Sequence, residues 1–269
     1  ETASIASYDY VEKAHSMGIQ VWGLCNDFAP DMKIGKVLSR TSRRERLEKN
    51  LLAEAIRYSL DGINIDFEKV PSDSAVDYRQ FIRELSIECR KAGVVFSLDN
   101  YVPRPYNAQY SRDVQAECAD YVVVMGYDEH YAGGDEAGSV ASIDFVTDGI
   151  DGTLKEVPKE KLINALPFYT RLWMESTDEN GNVKLSSKTY SMQGALDIVA
   201  ELGTGMEWDE EVGQYVAFGE VDGVKYSIWL EEDESIKAKM KVVRERELAG
   251  ISGWCLGMEK PSVWDVITE

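Results

Sequence analysis

The chain has 269 residues, 44% of them hydrophobic, which suits one large α/β domain or two small ones with a sizeable core. Its formal net charge of −19 at pH 7 disfavours nucleic acids and anionic membrane surfaces as partners, because their phosphate groups would be repelled. No apolar run approaches the ~20 residues of a membrane-spanning helix. The segment Glu1–Tyr10 lacks the features of a signal peptide, although a mature chain would look the same, so export stays open.

Cysteine and histidine are sparse. The four cysteines stand far apart without a C-x-x-C pair, at Cys25, Cys89, Cys118 and Cys255. With only His15 and His130 besides, the sequence predicts neither a zinc site nor a multi-histidine metal site, and no metal or cofactor is expected. Cys25 and Cys255 lie in apolar runs and are expected to be buried thiols.

Taken in chain order, short apolar runs alternate with longer amphipathic stretches. Six runs are typical of buried strands: Ile19–Cys25, Gly62–Phe67, Val94–Leu98, Tyr121–Tyr127, Leu162–Phe168 and Gly250–Leu256. Helical spacing follows at Arg43–Tyr58, Tyr78–Ala92, Ser111–Cys118 and Ile236–Glu247. Strands separated by helices predict a parallel sheet with helical crossovers and both faces covered.

The stretch from about Tyr169 to Glu234 breaks this rhythm. Two strong turn signals, Asn180-Gly181 and Asp222-Gly223, indicate hairpins that flank a helix at Met192–Leu202. We therefore expect three parts: barrel strands and helices in residues 1–168, a small α+β insertion in 169–234, and the last barrel helix and strand in 235–269.

The expected fold class is α/β, a TIM (β/α)8-type barrel with the insertion before its last strand. A closed barrel of this type needs eight strands, and the sequence supplies six. We expect that the first two strands precede Glu1 and are absent from this chain; the alternative is that a partner chain seals the open side, since uncovered strand edges promote aggregation.

The segment Asp61–Glu68, of sequence DGINIDFE, carries the strongest chemical signal. Alternation along a strand points Asn64, Asp66 and Glu68 to one side. Two carboxyl groups so close discourage each other from ionising, which raises one apparent pKa and suits a general acid that is protonated near neutral pH.

This segment resembles the D-x-x-D-x-D-x-E signature of glycoside hydrolase family 18, the chitinase family, with Asn64 in place of one aspartate. The variant is similar to the branch of spore-cortex-lytic and germination N-acetylglucosaminidases. Three further stretches, each near a predicted strand end, resemble family motifs in the expected order: Met125–Asp128, Pro167–Arg171 and Gly250–Trp254.

The resemblance implies hydrolysis of β-linked N-acetylglucosamine in peptidoglycan or chitin, by a retaining mechanism in which the substrate's acetamide is the nucleophile. Glu68 would be the general acid and then the base. Asp66 would orient the acetamide, Tyr127 would donate its hydroxyl to it, and Trp254 would lie under the sugar. The family also implies a location outside the cytoplasm, in the cell wall, the spore or the medium.

Asn64 departs from the family pattern. An amide can hydrogen-bond Asp66 but cannot share a negative charge with it, so we expect a lower proton affinity at Asp66 and a modest change in pH optimum.

Further substrate contacts are expected after the predicted strands, where the loops above a barrel gather. The candidates are Asp128, Tyr169, Arg171, Asn26 and Asn100. The bound partner is expected to be a glycan, and the sequence does not give an oligomeric state.

Two other interpretations remain at this point. A family member that has lost catalysis would hold sugar as a lectin, although Glu68, Asp66 and Tyr127 are all present. An unrelated barrel enzyme could use a divalent metal on Asp61, Asp66 and Glu68, but strand parity points Asp61 away from the others.

Overall fold

The computed structural model describes residues 6–269. The chain divides into two compact units, and β4 and β5 each pass from one unit to the other. The first unit comprises the described residues up to Val124 together with Gly152–Ile163, and the second comprises Met125–Asp151 and Asn164–Glu269.

Strands and helices alternate in the first unit. In chain order they are α1 (Tyr8–Ser16), β1 (Trp22–Asn26), α2 (Ile34–Leu38), α3 (Thr41–Tyr58), β2 (Gly62–Asp66), α4 (Ala75–Ala92), β3 (Val95–Tyr101), α5 (Arg112–Cys118) and β4 (Tyr121–Met125). The strands lie in the order β1-β2-β3-β4, and β1, β2 and β3 pair in parallel. The parallel α/β pattern is the predicted one.

The core of the first unit lies between this sheet and helices α3 and α4. Helix α4 buries Tyr78, Phe81, Ile82 and Leu85, whose spacing of three and four residues forms one apolar face. It ends where Gly93 takes a positive φ of 69°. Helix α3 buries Ala55 and leaves the next residue, Ile56, exposed.

The second unit holds the remaining strands and helices. They are α6 (Ile143–Thr153), which ends in the first unit, β5 (Leu162–Pro167), β6 (Tyr169–Thr177), β7 (Val183–Ser191), α7 (Met192–Glu201), β8 (Glu207–Asp209), β9 (Gln214–Val221), β10 (Val224–Leu230), α8 (Asp233–Glu245), β11 (Gly250–Trp254) and α9 (Val263–Thr268). Strands β5 and β11 are neighbours, so all six predicted barrel strands are present as β1 to β5 and β11.

An antiparallel sheet of order β7-β6-β10-β9-β8 fills the segment predicted as an insertion. Asp222 and Gly223 both have positive φ, 52° and 75°, and form the tight turn between β9 and β10. Helix α7 packs Ala195 and Val199 against Leu172 and Ile228 of this sheet. The boundaries 1–168, 169–234 and 235–269 stay a prediction.

The four cysteines are free thiols. Burial raises the pKa of Cys25 to about 11 and that of Cys89 to about 12. Cys25, Cys118 and Cys255 are half-buried and Cys89 is buried, so the expectation that Cys25 and Cys255 are buried thiols was wrong for both. Within residues 6–269, no helix is both long and apolar enough to cross a membrane.

Candidate active site

Strand β2 brings its polar residues to the point where it ends. Its neighbours are in register, with Leu24 and Asn26 of β1 opposite Asn64 and Asp66, and Ser97 of β3 on the other side of Asn64. Paired residues of neighbouring strands point to the same face of a sheet. Asn64 and Asp66 therefore share a face with β1 and β3 side chains, and Asp66 is 8% exposed.

Burial dominates the chemistry of Asp66. The pKa of this carboxyl group is raised to about 7, chiefly by burial and also by the negative charges of Asp99, Glu68 and Asp27 and by a hydrogen bond with Glu68. Asp66 therefore exchanges its proton near neutral pH while in hydrogen-bond contact with a second carboxyl group.

Glu68 follows β2 and is half-buried. The Tyr101 hydroxyl donates a hydrogen bond to Glu68 Oε2. The backbone N–H of Glu68 donates to Asp27 Oδ1 over 3.0 Å, and that of Lys69 donates to Asp27 Oδ2 over 2.9 Å. Both the side chain and the backbone of Glu68 are thus held by neighbouring strand ends.

Asn64 is bound differently from the expectation. Its amide Nδ2 donates to Ser97 Oγ and to Asp99 Oδ1, each over 3.0 Å. Among the described residues, Asn64 Oδ1 and Asp66 Oδ1 are both buried without a hydrogen-bond partner. The amide of Asn64 therefore supports Asp99 rather than Asp66.

Asp99 is a third carboxyl group in this cluster. Its pKa is raised to about 6, chiefly by burial; the hydrogen bond from Asn64 opposes the rise and the charge of Glu68 adds to it. A group of acids with perturbed pKa values at the ends of parallel strands is typical of an active site.

Asp27, Asp99 and Tyr101 were not predicted from the sequence as members of this cluster. The signal for the last two was present, because Ser97, Asp99 and Tyr101 alternate along β3 as Asn64 and Asp66 do along β2. The strand predicted from the sequence ended at Leu98, whereas β3 continues to Tyr101. Asp99 and Tyr101 were therefore not recognised as strand residues on the face of Ser97.

Asn100 is a correction. It is 1% exposed, and its side chain exchanges hydrogen bonds of 2.7 and 2.8 Å with Gln115 of α5. Strand alternation turns it to the helix side, opposite to Asp99, so it does not line the cluster. Asn26 is exposed at the end of β1, and its Oδ1 accepts a hydrogen bond from the Phe28 N–H over 3.2 Å.

The second unit gathers another set of predicted residues. The Tyr169 hydroxyl donates to Asp128 Oδ1 over 2.5 Å, and the rings of Tyr127 and Tyr169 meet edge to face with centroids 6.2 Å apart. Burial and the charge of Asp128 raise the pKa of Tyr169. Asp128 itself has a positive φ of 57° just after β4.

Arg171 joins this set on β6. It is 9% exposed, its Nη2 lies 3.9 Å from Asp128 Oδ1, and its Nη1 donates to Ser187 Oγ over 3.2 Å. Trp254, the last residue of β11, is 53% exposed and precedes a cis peptide bond to Cys255. An exposed indole at a strand end is available to a ligand.

Asp61 lies apart from the acidic cluster, at the start of β2. Its Oδ2 accepts hydrogen bonds from the Val21 N–H over 2.7 Å and from His15 over 2.8 Å. This position does not bring it to Asp66 and Glu68 for a shared metal.

The family model for glycosyl hydrolases family 18 matches residues 29–259. The chain belongs to glycosyl hydrolase family 18. This membership confirms the resemblance drawn from the acidic motif.

Relatives and solved structures agree with this membership. The cortical fragment-lytic enzyme of Bacillus subtilis (strain 168) is 26% identical over 246 residues, which cover 88% of this chain and 56% of the relative. The chain thus spans little more than half of that relative's length.

Two solved structures show the same fold. A chitinase of Chromobacterium violaceum ATCC 12472 has a TM-score of 0.88 at 23% identity, over 99% of this chain and 84% of its own. The spore cortex-lytic enzyme SleL of Bacillus megaterium QM B1551 has a TM-score of 0.86 at 20% identity, over 97% of this chain and 61% of its own. The fold is therefore chitinase-like.

Proposed function

We propose that this glycosyl hydrolase family 18 chain cleaves β-linked N-acetylglucosamine in peptidoglycan or chitin, with Glu68 as general acid and base. One observation carries the proposal: Asp66, with its pKa raised to about 7, is hydrogen-bonded to Glu68 at the end of β2. Because Glu68 is the hydrogen-bond partner of Asp66, the proton that Asp66 binds near neutral pH is available to Glu68. A general acid needs such a proton to protonate a glycosidic oxygen.

The closeness of the two carboxyl groups bears on the mechanism. Glycosidases that use two carboxylates on opposite sides of the bond separate them by about 5–5.5 Å when retaining and by about 6.5–9.5 Å when inverting. Asp66 and Glu68 are two residues apart at one end of the same strand, and a hydrogen bond with Glu68 contributes to the raised pKa of Asp66, so they are not placed as two carboxylates on opposite sides of a bond. This favours a nucleophile supplied by the substrate.

In the proposed reaction, Glu68 gives its proton to the glycosidic oxygen as the bond to the anomeric carbon breaks. The carbonyl oxygen of the 2-acetamido group forms the new bond to that carbon and yields an oxazolinium ion. Asp66 orients the acetamide and stabilises its positive charge. Glu68 then takes a proton from the water that opens the oxazolinium ring, which regenerates the acid and retains the configuration.

Residues of the second unit receive roles from the family resemblance. Tyr127 would donate its hydroxyl to the acetamide oxygen, and Trp254 would stack under the sugar ring. Asp128, Tyr169 and Arg171 form a connected polar set suited to sugar hydroxyls or to a lactyl carboxylate. Asn26 stays a candidate contact, and Asn64 acts on the acids through Asp99.

The names of the relatives bear on the substrate. A cortical fragment-lytic enzyme supports a glycan of the bacterial spore or cell wall, reached outside the cytoplasm, and the chitinase supports chitin. We propose the cell-wall glycan first, because the curated relative that names its target acts on cortical fragments.

The experiment incubates the chain with purified peptidoglycan and with a chromogenic N-acetylglucosamine oligomer. We expect hydrolysis by the wild type and a loss of roughly a hundredfold or more in Glu68→Gln, the scale of general acid catalysis. Glu88→Gln, at an exposed residue of α4, is the matched control and should keep full activity. Sugar binding without hydrolysis in every form would instead favour the lectin interpretation.

We also propose that two further strands complete the barrel beside β1. Among the described strands, β1 pairs with β2 alone, and Leu24 is 47% exposed on the face that it shares with Asn64. An apolar side chain on the inner face of a barrel strand is normally covered. We expect this chain to be a monomer in solution, with rapid hydrogen exchange at the β1 amides that face away from β2. A dimer in which these amides are protected from exchange would favour the alternative that a partner chain covers β1.

A further inference from the structure

Asp27 is a buried carboxylate immediately after β1. It is 1% exposed, and no role has been given to it so far. A buried carboxylate is costly unless hydrogen bonds compensate for its lost hydration. Its two oxygens accept from two successive backbone N–H groups, those of Glu68 over 3.0 Å and of Lys69 over 2.9 Å.

These bonds fix the segment that carries the proposed acid. Strand β2 ends at Asp66, so the N–H groups of Glu68 and Lys69 lie beyond the sheet ladder. Asp27 supplies the acceptors that the ladder no longer supplies. Because each oxygen takes one N–H, the peptide planes on both sides of Glu68 are held relative to the end of β1.

We infer that Asp27 is a positioning residue for Glu68, holding its backbone so that its side chain meets the scissile bond and Asp66. The inference rests on the proposed function of Glu68. An error of about 1 Å in the placement of an acid costs up to about a hundredfold in rate.

The charge of Asp27 gives a second readout. Asp66 is faced by charged or titratable groups from five neighbouring segments: Cys25 and Asp27 at the end of β1, Glu68 after β2, Asp99 and Tyr101 on β3, Tyr78 on α4, and Tyr110 before α5. Of these, Asp27 is one of three carboxylates that raise the pKa of Asp66. A neutral side chain at position 27 should therefore shift the limb of the pH–rate profile that belongs to Asp66 to lower pH.

Two variants separate position from charge. In Asp27→Asn, one carboxylate oxygen becomes an NH2 group that cannot accept from a backbone N–H. We expect kcat to fall roughly tenfold or more with KM changed less than about threefold, and the Asp66 limb to move to lower pH. Asp27→Glu keeps the charge but moves it, so we expect a reduced kcat with the limb unmoved.

Asp61→Asn is the matched control, since Asp61 also accepts a backbone N–H, from Val21, but at the opposite end of β2. We expect this variant to keep the wild-type pH profile and most of kcat. Thermal melts of all variants identify any loss of folding. Should Asp27→Asn be unfolded, the kcat of a folded Asp27→Glu decides the question.

The outcomes separate two failures. If the wild type hydrolyses neither glycan, the proposed function fails. If the wild type is active and Glu68→Gln is not, but a folded Asp27→Asn matches the wild type in kcat and pH profile, the inference about Asp27 is overturned. The inference would also be overturned if Asp27→Asn and Asp61→Asn had equal melting temperatures and lost kcat to the same extent, because Asp27 would then act only as a structural residue.

Discussion

At the residue scale, Asp66 binds its proton more tightly in the folded chain than in the unfolded one. Its pKa rises from 3.8 to about 7 because the fold removes it from water and sets three carboxylates around it. The unfolded chain loses this proton as the pH rises through about 4, whereas the folded chain keeps it until about 7. The unfolding free energy therefore falls across this window and stays lowered above it.

Replacing Asp66 by asparagine should remove this cost. At about 1.4 kcal/mol per pKa unit, we expect Asp66→Asn to unfold with a free energy about 2–4 kcal/mol higher than the wild type at about pH 8, and with no gain at about pH 3.5. Urea unfolding at both pH values measures the difference. If Asp66→Asn were stabilised equally at both pH values, the difference in unfolding free energy between the variant and the wild type would come from packing and not from the protonation of Asp66.

Asn64 gives a second prediction. Asn64→Asp adds a negative charge beside Asp66 and removes the amide donor to Asp99, and both changes raise carboxyl pKa values. We expect the acid limb of the pH–rate profile to move to higher pH with activity retained. Asn64→Ala, which removes the donor without adding charge, should move it less, and identical profiles for all three proteins would contradict the assignment.

The acidic motif predicted part of this cluster from sequence, and the reason for the rest is geometric. Asp66 and Glu68 lie in one short segment whose alternation is visible. Asp27 and Asp99 lie on neighbouring strands, and only the register of β1 and β3 against β2 brings them to it. Asn100 was misplaced because a strand boundary uncertain by a few residues leaves the face of the next side chain undetermined.

At the element scale, the strands were easier to predict than the helices. All six strands of this sheet are apolar runs in the sequence, and each was found within about three residues of its bounds. Strands β2 to β5 are largely buried, whereas β1 and β11 are half-buried or exposed along their length. Helices α1, α2, α6 and α9 were missed. Helix α6 contains Gly149 and Gly152 and α2 has five residues, so neither shows the long apolar period that marks a helix in sequence.

A buried ion pair joins elements of the second unit. Lys239 of α8 lies 3.0 Å from both oxygens of Glu231, which follows β10, and neither side chain is more than 1% exposed. Glu231 also accepts from Gln214 of β9 and Ser235 of α8, and its N–H donates to Thr170 of β6. The pair thus fastens the antiparallel sheet to helix α8.

Lys239→Met should leave the Glu231 charge buried without its cation. We expect a loss of about 3–5 kcal/mol in unfolding free energy, measured by chemical denaturation. Lys225→Met breaks the exposed pair with Glu175 in the same unit and should cost less than about 1 kcal/mol. A Lys239→Met loss as small as that of the control would mean that Glu231 takes up a proton at little cost.

At the scale of the whole molecule, the net charge of −19 acts on substrate encounter. Peptidoglycan is anionic and is repelled, whereas a chitin oligomer is neutral. Raising the salt concentration from about 20 to about 200 mM shortens the screening length from about 20 Å to below 10 Å. We expect kcat/KM on soluble peptidoglycan fragments to rise with salt and that on the chitin oligomer to stay level; a fall on the fragments would indicate local attraction by a cationic subsite.

The different thiol reactivities expected of the four cysteines have a practical consequence for labelling with fluorescent dyes. The thiols of Cys25 and Cys89 hold their protons far above neutral pH, so they react slowly with maleimide dyes, which attack thiolates. Cys118 and Cys255 are half-buried, as Cys25 is, and one belongs to each compact unit. The sequence thus offers one dye attachment point in each unit, at Cys118 and Cys255, without any engineered residue.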